Sequence, residues 1–495
     1  MRAVAVMLAA LSLSWAAGLN GQPFFHPDTI GYTRGPDVAV MKLLGPRFAT
    51  TWAKTDEGPA AKAAPAQNGA VGGAKATASY DDNEVMGGRS IYYGFLAYLG
   101  ALTGGFWLTV FVQGLAVAML VEIALRALRI MSLATYAGMM ALLTLATPAP
   151  LFVGFVMPDI WAAVAIGALS AALALSRRLT RLDLLALAAM TAFGALAHNS
   201  VVPVLAVLIV AGGGWWLLKR ETAPDARPGL AIGAAAIVIA LIGSLAFSAM
   251  VKHTVGKPPV TPPFLTARVI ADGPGTLYAR DHCAGQAFTV CRFAKRFPMG
   301  VDDFLWGPSI DDGVFQTASS AERRSMAEQD ARFALTAAAA YPLQQIAASA
   351  RNAVLQTVDT DLGDFNYNSH VRGDFAATLP AAPRAALQTS LAYRQAWPLQ
   401  AMWVLQTGVL LASLLAIGVM AVRAPNTGPA LLEPSDALLL ATLIVVGVLA
   451  NGAVCGVLST LYGRYQARVV WLIPLAAAML ALAQARSQER SVRLR

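Results

Sequence analysis

The residues able to do chemistry in this chain of 495 residues stand at the edges of its apolar blocks. Asp28 lies in Phe24-Phe25-His26-Pro27-Asp28-Thr29-Ile30-Gly31-Tyr32, with an aromatic hydroxyl, Tyr32, four positions on. Between a Pro and a Gly, the pattern predicts that Asp28 sits on a turn and not inside a helix. An isolated Asp at such a place caps a turn or a short helix. Held at a membrane surface, it is also placed to take a proton from an acceptor hydroxyl. Asp159 follows Pro158 and opens an apolar run, where an ionisable group is costly unless it is paired or at work. Its plain reading is the cap of the helix that follows, which is compatible with function. Arg89 precedes Tyr92 and Tyr93, and Arg464 sits in Tyr462-Gly463-Arg464-Tyr465-Gln466-Ala467-Arg468. The planar fork of arginine suits phosphate, although the same residues also anchor helix ends at lipid headgroups. His26, Asp28 and Asp159 together would make a divalent-metal site, for Mg or Mn, but their spacing follows no ligand pattern. His198-Asn199 reads as a helix stop.

The elements that must position these residues are set by composition. The chain is 57% hydrophobic and 13% charged, against about 25% charged in soluble domains. Charges are missing from blocks of about 20 residues and crowded between them, as in a polytopic helical membrane protein. The net charge of +9 therefore does not imply nucleic acid: no basic patch interleaved with stacking aromatics is present. The absence of a Gly-rich phosphate loop argues against a soluble nucleotide donor, and no G-x-S-x-G or H-E-x-x-H appears. Cys283 and Cys291 lie close together in a polar region and are expected to form a disulfide in an oxidising compartment.

In chain order, the apolar run to about Leu19 is either a signal peptide, its Ala-rich end resembling a cleavage site, or a retained first span. The even number of spans that results favours retention. Residues 20–105 form a long outer region, with an amphipathic stretch at Pro36–Leu44, a mobile Ala/Gly-rich segment at 56–78, and an interfacial helix from Ile91 to Leu102. Further spans are expected at about 106–125, 130–146, 160–175, 184–197, 201–218 and 230–251. Residues 252–397 form a polar, mixed extracytoplasmic region containing one helix near Ala321–Ala339. Three more spans follow at about 399–422, 437–460 and 468–485, which brings the total to about ten. The chain thus divides into an N-terminal module (1–251), an extracytoplasmic region (252–397) and a C-terminal module (398–495). The Arg126, Arg177, Lys219 and Arg423 loops and the C-terminal tail fall on one side, and Asp28, Asp159, His198 and Arg464 on the other. The positive-inside rule then makes both termini cytoplasmic, and in a bacterial inner membrane the opposite face is periplasmic.

The order of these motifs resembles the GT-C superfamily of integral membrane glycosyltransferases, in the branch of protein O-mannosyltransferases and lipid A aminoarabinose transferases. The likeness rests on Asp28 with Tyr32, on Gly88-Arg89-Ser90-Ile91-Tyr92-Tyr93-Gly94, on Pro158-Asp159, and on Arg464-Tyr465 with Pro474. It covers about residues 1–220 and the last span. It implies an all-α GT-C-like fold and sugar transfer from a polyprenyl-phosphate donor, within the lipid bilayer's outer face, to a glycan, lipid or protein acceptor. It further implies that Asp28 is the catalytic carboxylate. Arg89 and Arg464 would then hold the donor phosphate, and Asp159 and Tyr32 would serve the acceptor. Thr29 stands where the family carries a second acidic residue, and the 252–397 region has no counterpart.

Other functions predict other patterns. An O-antigen polymerase or ligase relies on Arg and His more than on a first-loop Asp. A transporter or flippase predicts mid-span charge and internal repeats; only Glu122 is mid-span and no repeat is evident. A scaffold would make Asp28 dispensable.

Overall fold

The computed structural model describes residues 2–53, 85–219, 225–285, 287–307, 313–422 and 432–493. The Ala/Gly-rich segment expected to be mobile and the Arg423 loop lie outside the described residues. Within them the chain is helical, with no strand and only two isolated bridges. Residues 252–397, expected to be an extracytoplasmic region of mixed structure, are therefore helical where they are described.

Among the described residues, six helices are long and apolar enough to cross a membrane: Trp107–Ala127, Val201–Leu218, Arg227–Val255, Leu399–Val422, Asp436–Leu458 and Gly463–Glu489. The other expected spans are helices too, but shorter. Arg2–Leu13 ends at a break at Ser14, and Leu133–Ala146 has 14 residues. Asp159–Ala174 has 16 residues, about 24 Å against a hydrocarbon core of about 30 Å. Every one of its residues is buried, because it is the central post of the bundle. Small residues let its neighbours close on it: a Cβ on Gly194 would meet Ala165, and one on Gly447 would meet Ile166. Arg227–Val255 and Leu399–Val422, by contrast, leave most of their apolar surface uncovered, as lipid-facing helices do.

Charge is sorted between the two ends of the bundle. At one end Arg126 pairs with Glu122 and Asp183, and Arg178 pairs with Asp436. At the other lie Asp28, Arg89, Asp159 and Arg464. Residues 252–340 build a second, smaller core around Ile270, Phe288, Phe304, Phe315 and Phe333. The Cys283–Cys291 disulfide is formed within it. The helix expected near Ala321–Ala339 spans Ser320–Ala340 and starts with a capping box between Ser319 and Glu322.

Candidate functional site

The turn expected at Asp28 is a helix. Pro27–Leu44 forms one element that also absorbs the stretch from Pro36 expected as a separate surface helix. Pro27 suits the first helical position because its missing N–H is not needed there. His26 is the N-cap: the Asp28 amide donates to its Nδ1 at 3.2 Å, and the His26 amide donates to Thr29 Oγ1 at 2.9 Å. Thr29 in turn donates to the Val156 carbonyl at 3.1 Å. In this chain Thr29 is thus a buried fastener and carries no charge. A bridge between Phe24 and Phe155 ties the same segment to the lead-in of Asp159, with the Phe24 amide on the Gly154 carbonyl at 2.8 Å.

Arg89 forms a short ion pair with Asp28, 61 positions away in sequence. Gly31 makes this approach possible, since a Cβ there would lie 2.8 Å from Arg89 Cδ. The guanidinium of Arg89 also lies over the Trp306 ring, 5.3 Å from its centroid. Trp306 ends the short helix Val301–Trp306, and Asp302 at its start accepts from the Tyr462 hydroxyl at 2.7 Å. This helix from the 252–397 region therefore reaches both the Arg89 side and the Arg464 side of the cluster.

Arg464 is buried and has Asp159 at 3.6 Å from Nε and Asp364 at 3.2 Å from Nη1. Neither contact has hydrogen-bond geometry, so Nε and Nη1 are buried donors without a hydrogen-bond partner. Asp159 is nearly inaccessible and makes no capping bond; its Oδ1 also accepts from Arg468 at 3.4 Å. Its reading as a cap alone is therefore replaced by a place between two arginines. Arg468 continues inward to His198, Ser200 and Asn451. Tyr32, one turn beyond Asp28, packs edge-to-face on Tyr93 with ring centroids 5.2 Å apart.

The ionisation states follow from these neighbours. Burial opposes charge on Asp28, but Arg89, His26 and Arg464 outweigh it and hold the carboxyl down to about 2. Burial, helped by Arg464, lowers His26 to about 4, so its ring is neutral near pH 7. Burial and the Asp28 carboxylate push the Tyr32 phenol up, so it stays protonated. Burial raises Asp302, against the Tyr462 hydrogen bond.

The structure brings Asp28, Arg89, Asp159, Arg464, His26 and Tyr32 into one region. Cys283 and Cys291 lie in the separate core. A divalent metal held by His26, Asp28 and Asp159 does not fit: both carboxylates are faced by guanidinium groups, and among the described residues no three His, Cys, Asp or Glu side chains converge. The sequence reading missed Asp364, Asp302 and Trp306, which lie in the 252–397 region where no motif stood out. It took His198 for a helix stop; its ring is buried against Arg468. Comparison of the chain with family models, curated proteins and solved structures found no match.

Proposed function

We propose that the protein is a membrane glycosyltransferase that moves a sugar from a polyprenyl-phosphate donor to an acceptor hydroxyl. The observation that carries this reading is Arg464. A buried arginine with two unmet donors is costly, and a phosphate oxygen with its negative charge is a partner that meets them. The site lies at the end of the bundle opposite the basic loops, which suits a periplasmic active site in a bacterial inner membrane with cytoplasmic termini. The disulfide suits the same compartment. An open groove of about 870 Å³ starts at Asn366, two residues from Asp364, and runs over Trp397, Leu399, Val404 and Leu405. Its largely apolar wall suits an isoprenoid tail.

In the reaction, the acceptor hydroxyl gives its proton to the Asp28 carboxylate and its oxygen attacks the anomeric carbon. The bond from that carbon to the phosphate oxygen breaks, and polyprenyl phosphate leaves with the electron pair. A single displacement inverts the anomeric centre. Arg464 and Arg89 stabilise the charge that grows on the leaving phosphate. While Arg89 is paired with Asp28, the carboxylate is a weak base. A donor phosphate that draws Arg89 toward itself leaves Asp28 more basic, so base strength follows donor occupancy. In this reading Asp159 and Tyr32 serve the acceptor.

Asp28→Asn tests the reading in a deletion strain. The expected outcome is a lost surface glycan and accumulated polyprenyl-phosphate sugar at an unchanged protein level, with turnover lowered by about 10²–10⁴-fold. An unchanged glycan profile would refute it.

A further inference from the structure

The helix Pro342–Val358 lies in the region that composition assigns outside the membrane, yet its polarity is inverted for a helix in water. Its two buried polar side chains face the protein. Asn352 donates to Asp272 at 2.8 Å. Gln356 donates to the Tyr462 carbonyl at 2.7 Å and accepts from the Tyr462 amide at 2.9 Å. The opposite face carries Leu343, Ile346, Val354 and Val358, each 64–78% exposed, at helical spacing with exposed Ala350 between them. In 17 residues the only charge is Arg351. A water-facing surface helix turns its polar side outward.

Two rulers give the depth of this helix. A Cβ on Gly456 would meet the Asn352 carbonyl, and one on Gly452 would meet Thr357. Gly452 lies six residues before Leu458, the last residue of the Asp436–Leu458 span, or about 9 Å below that end at 1.5 Å per residue. Just past the helix, the Thr360 carbonyl accepts from Gln406 at 2.8 Å and its hydroxyl from Trp403 at 3.2 Å. Gln406 lies seven residues into the Leu399–Val422 span, or about 10 Å below its start. Both rulers place Thr357–Thr360 well inside a leaflet of about 15 Å.

We infer that Pro342–Val358 is seated in the outer leaflet of the bilayer, with its Leu343–Ile346–Val354–Val358 stripe on lipid acyl chains. The partner is hydrocarbon because the stripe is continuous in depth with the two spans that flank the helix, whose own uncovered residues are apolar apart from Gln400 and Thr442. Arg351 stands a turn above Val354, where its long stem can bring the guanidinium up to the headgroups. The chain leaves this helix into Asp359–Asp364, so the leaflet sets the level at which Asp364 meets Arg464.

The test uses the full chain in lipid nanodiscs, with nitroxide labels at Ile346, Val354 and Val358. Leu415 on the Leu399–Val422 span is the lipid reference and Ala321 the water reference. The buried Cys455, the one free thiol, sets the labelling background in the wild-type chain. Labels at Val354 and Val358 are expected to relax with oxygen and lose relaxation by a water-soluble nickel chelate, as at Leu415, with Ile346 closer to the surface. Relaxation by the nickel chelate at the Ala321 level would place the helix in water and overturn the inference. Protection from both reagents would also overturn it, by showing the stripe covered by protein, such as a second copy.

Discussion

The two ends of the bundle each hold arginines among carboxylates, and they are built differently. At the basic end Asp183 is saturated: it accepts from Arg126 and from the Thr180 amide and hydroxyl, while Arg126 also donates to Glu122 at 2.6 Å. At the other end Arg464 has carboxylates within ion-pair distance and still lacks hydrogen bonds on two nitrogens. Both clusters have charges of both signs, so charge balance alone does not mark a site. The difference is in the directional bonds. The Arg126–Asp183 pair, with every guanidinium nitrogen bonded, holds helices together; Arg464, with buried donors left over, is ready for an oxygen that the chain does not supply.

Truncating one arginine at each end separates the two roles. Arg464→Ala is expected to lower turnover per folded molecule by about 10²–10³-fold. Arg126→Ala should leave turnover per folded molecule unchanged and cost about 1–3 kcal/mol of stability, because it strands Asp183; thermal unfolding in detergent measures it. Equal effects of the two on turnover would erase the distinction.

A smaller effect concerns Asp28. With Arg89→Ala the largest opposing influence on this carboxyl, its burial, prevails, so its pKa rises from about 2. The acid limb of the pH–rate profile should move to higher pH, on top of the lost phosphate contact. An acid limb that stays in place would show that Arg89 does not set the basicity of Asp28. Trp306→Ala removes the ring under the same guanidinium and is expected to cost about 0.5–1 kcal/mol, a few-fold in turnover.

A separate effect is on stability against pH. His26 is about 4 in the folded protein and 6.5 as an ordinary histidine. Below 6.5 the unfolded chain binds a proton that the folded one refuses, so stability falls as the pH drops from 6.5 to about 4 and levels off below. His26→Asn should flatten that decline in part; His198, held down by burial and Arg468, contributes in the same sense. An unchanged slope would mean that His26 is already protonated in the fold.

Much of this was legible in the sequence because hydrophobic blocks bounded by charge define helices and the end of the bundle at which each charge falls. The ends were harder. Pro27 read as a turn signal, and only the reciprocal bonds of His26 and Thr29 show that it starts a helix. Asp159–Ala174 is short for a span because protein, not lipid, surrounds it on all sides. Asp28, Arg89, Asp159 and Arg464 stood out because charge is rare beside apolar blocks. Asp364 and Trp306 did not, since Asp and Trp are unremarked in a polar region and their roles depend on how that region folds back. Pro342–Val358 escaped for a related reason: with Gln345, Asn352 and Gln356 turned to the protein, its average polarity hides a lipid-facing stripe.

Whether the unmet donors of Arg464 hold phosphate is read from binding of a short-chain polyprenyl phosphate without its sugar. Titrated into wild type, Arg464→Ala and Arg126→Ala in nanodiscs, the lipid should bind wild type and Arg126→Ala alike and Arg464→Ala at least about tenfold more weakly, the worth of one charge-assisted hydrogen bond. Equal binding to Arg464→Ala and wild type would contradict the account.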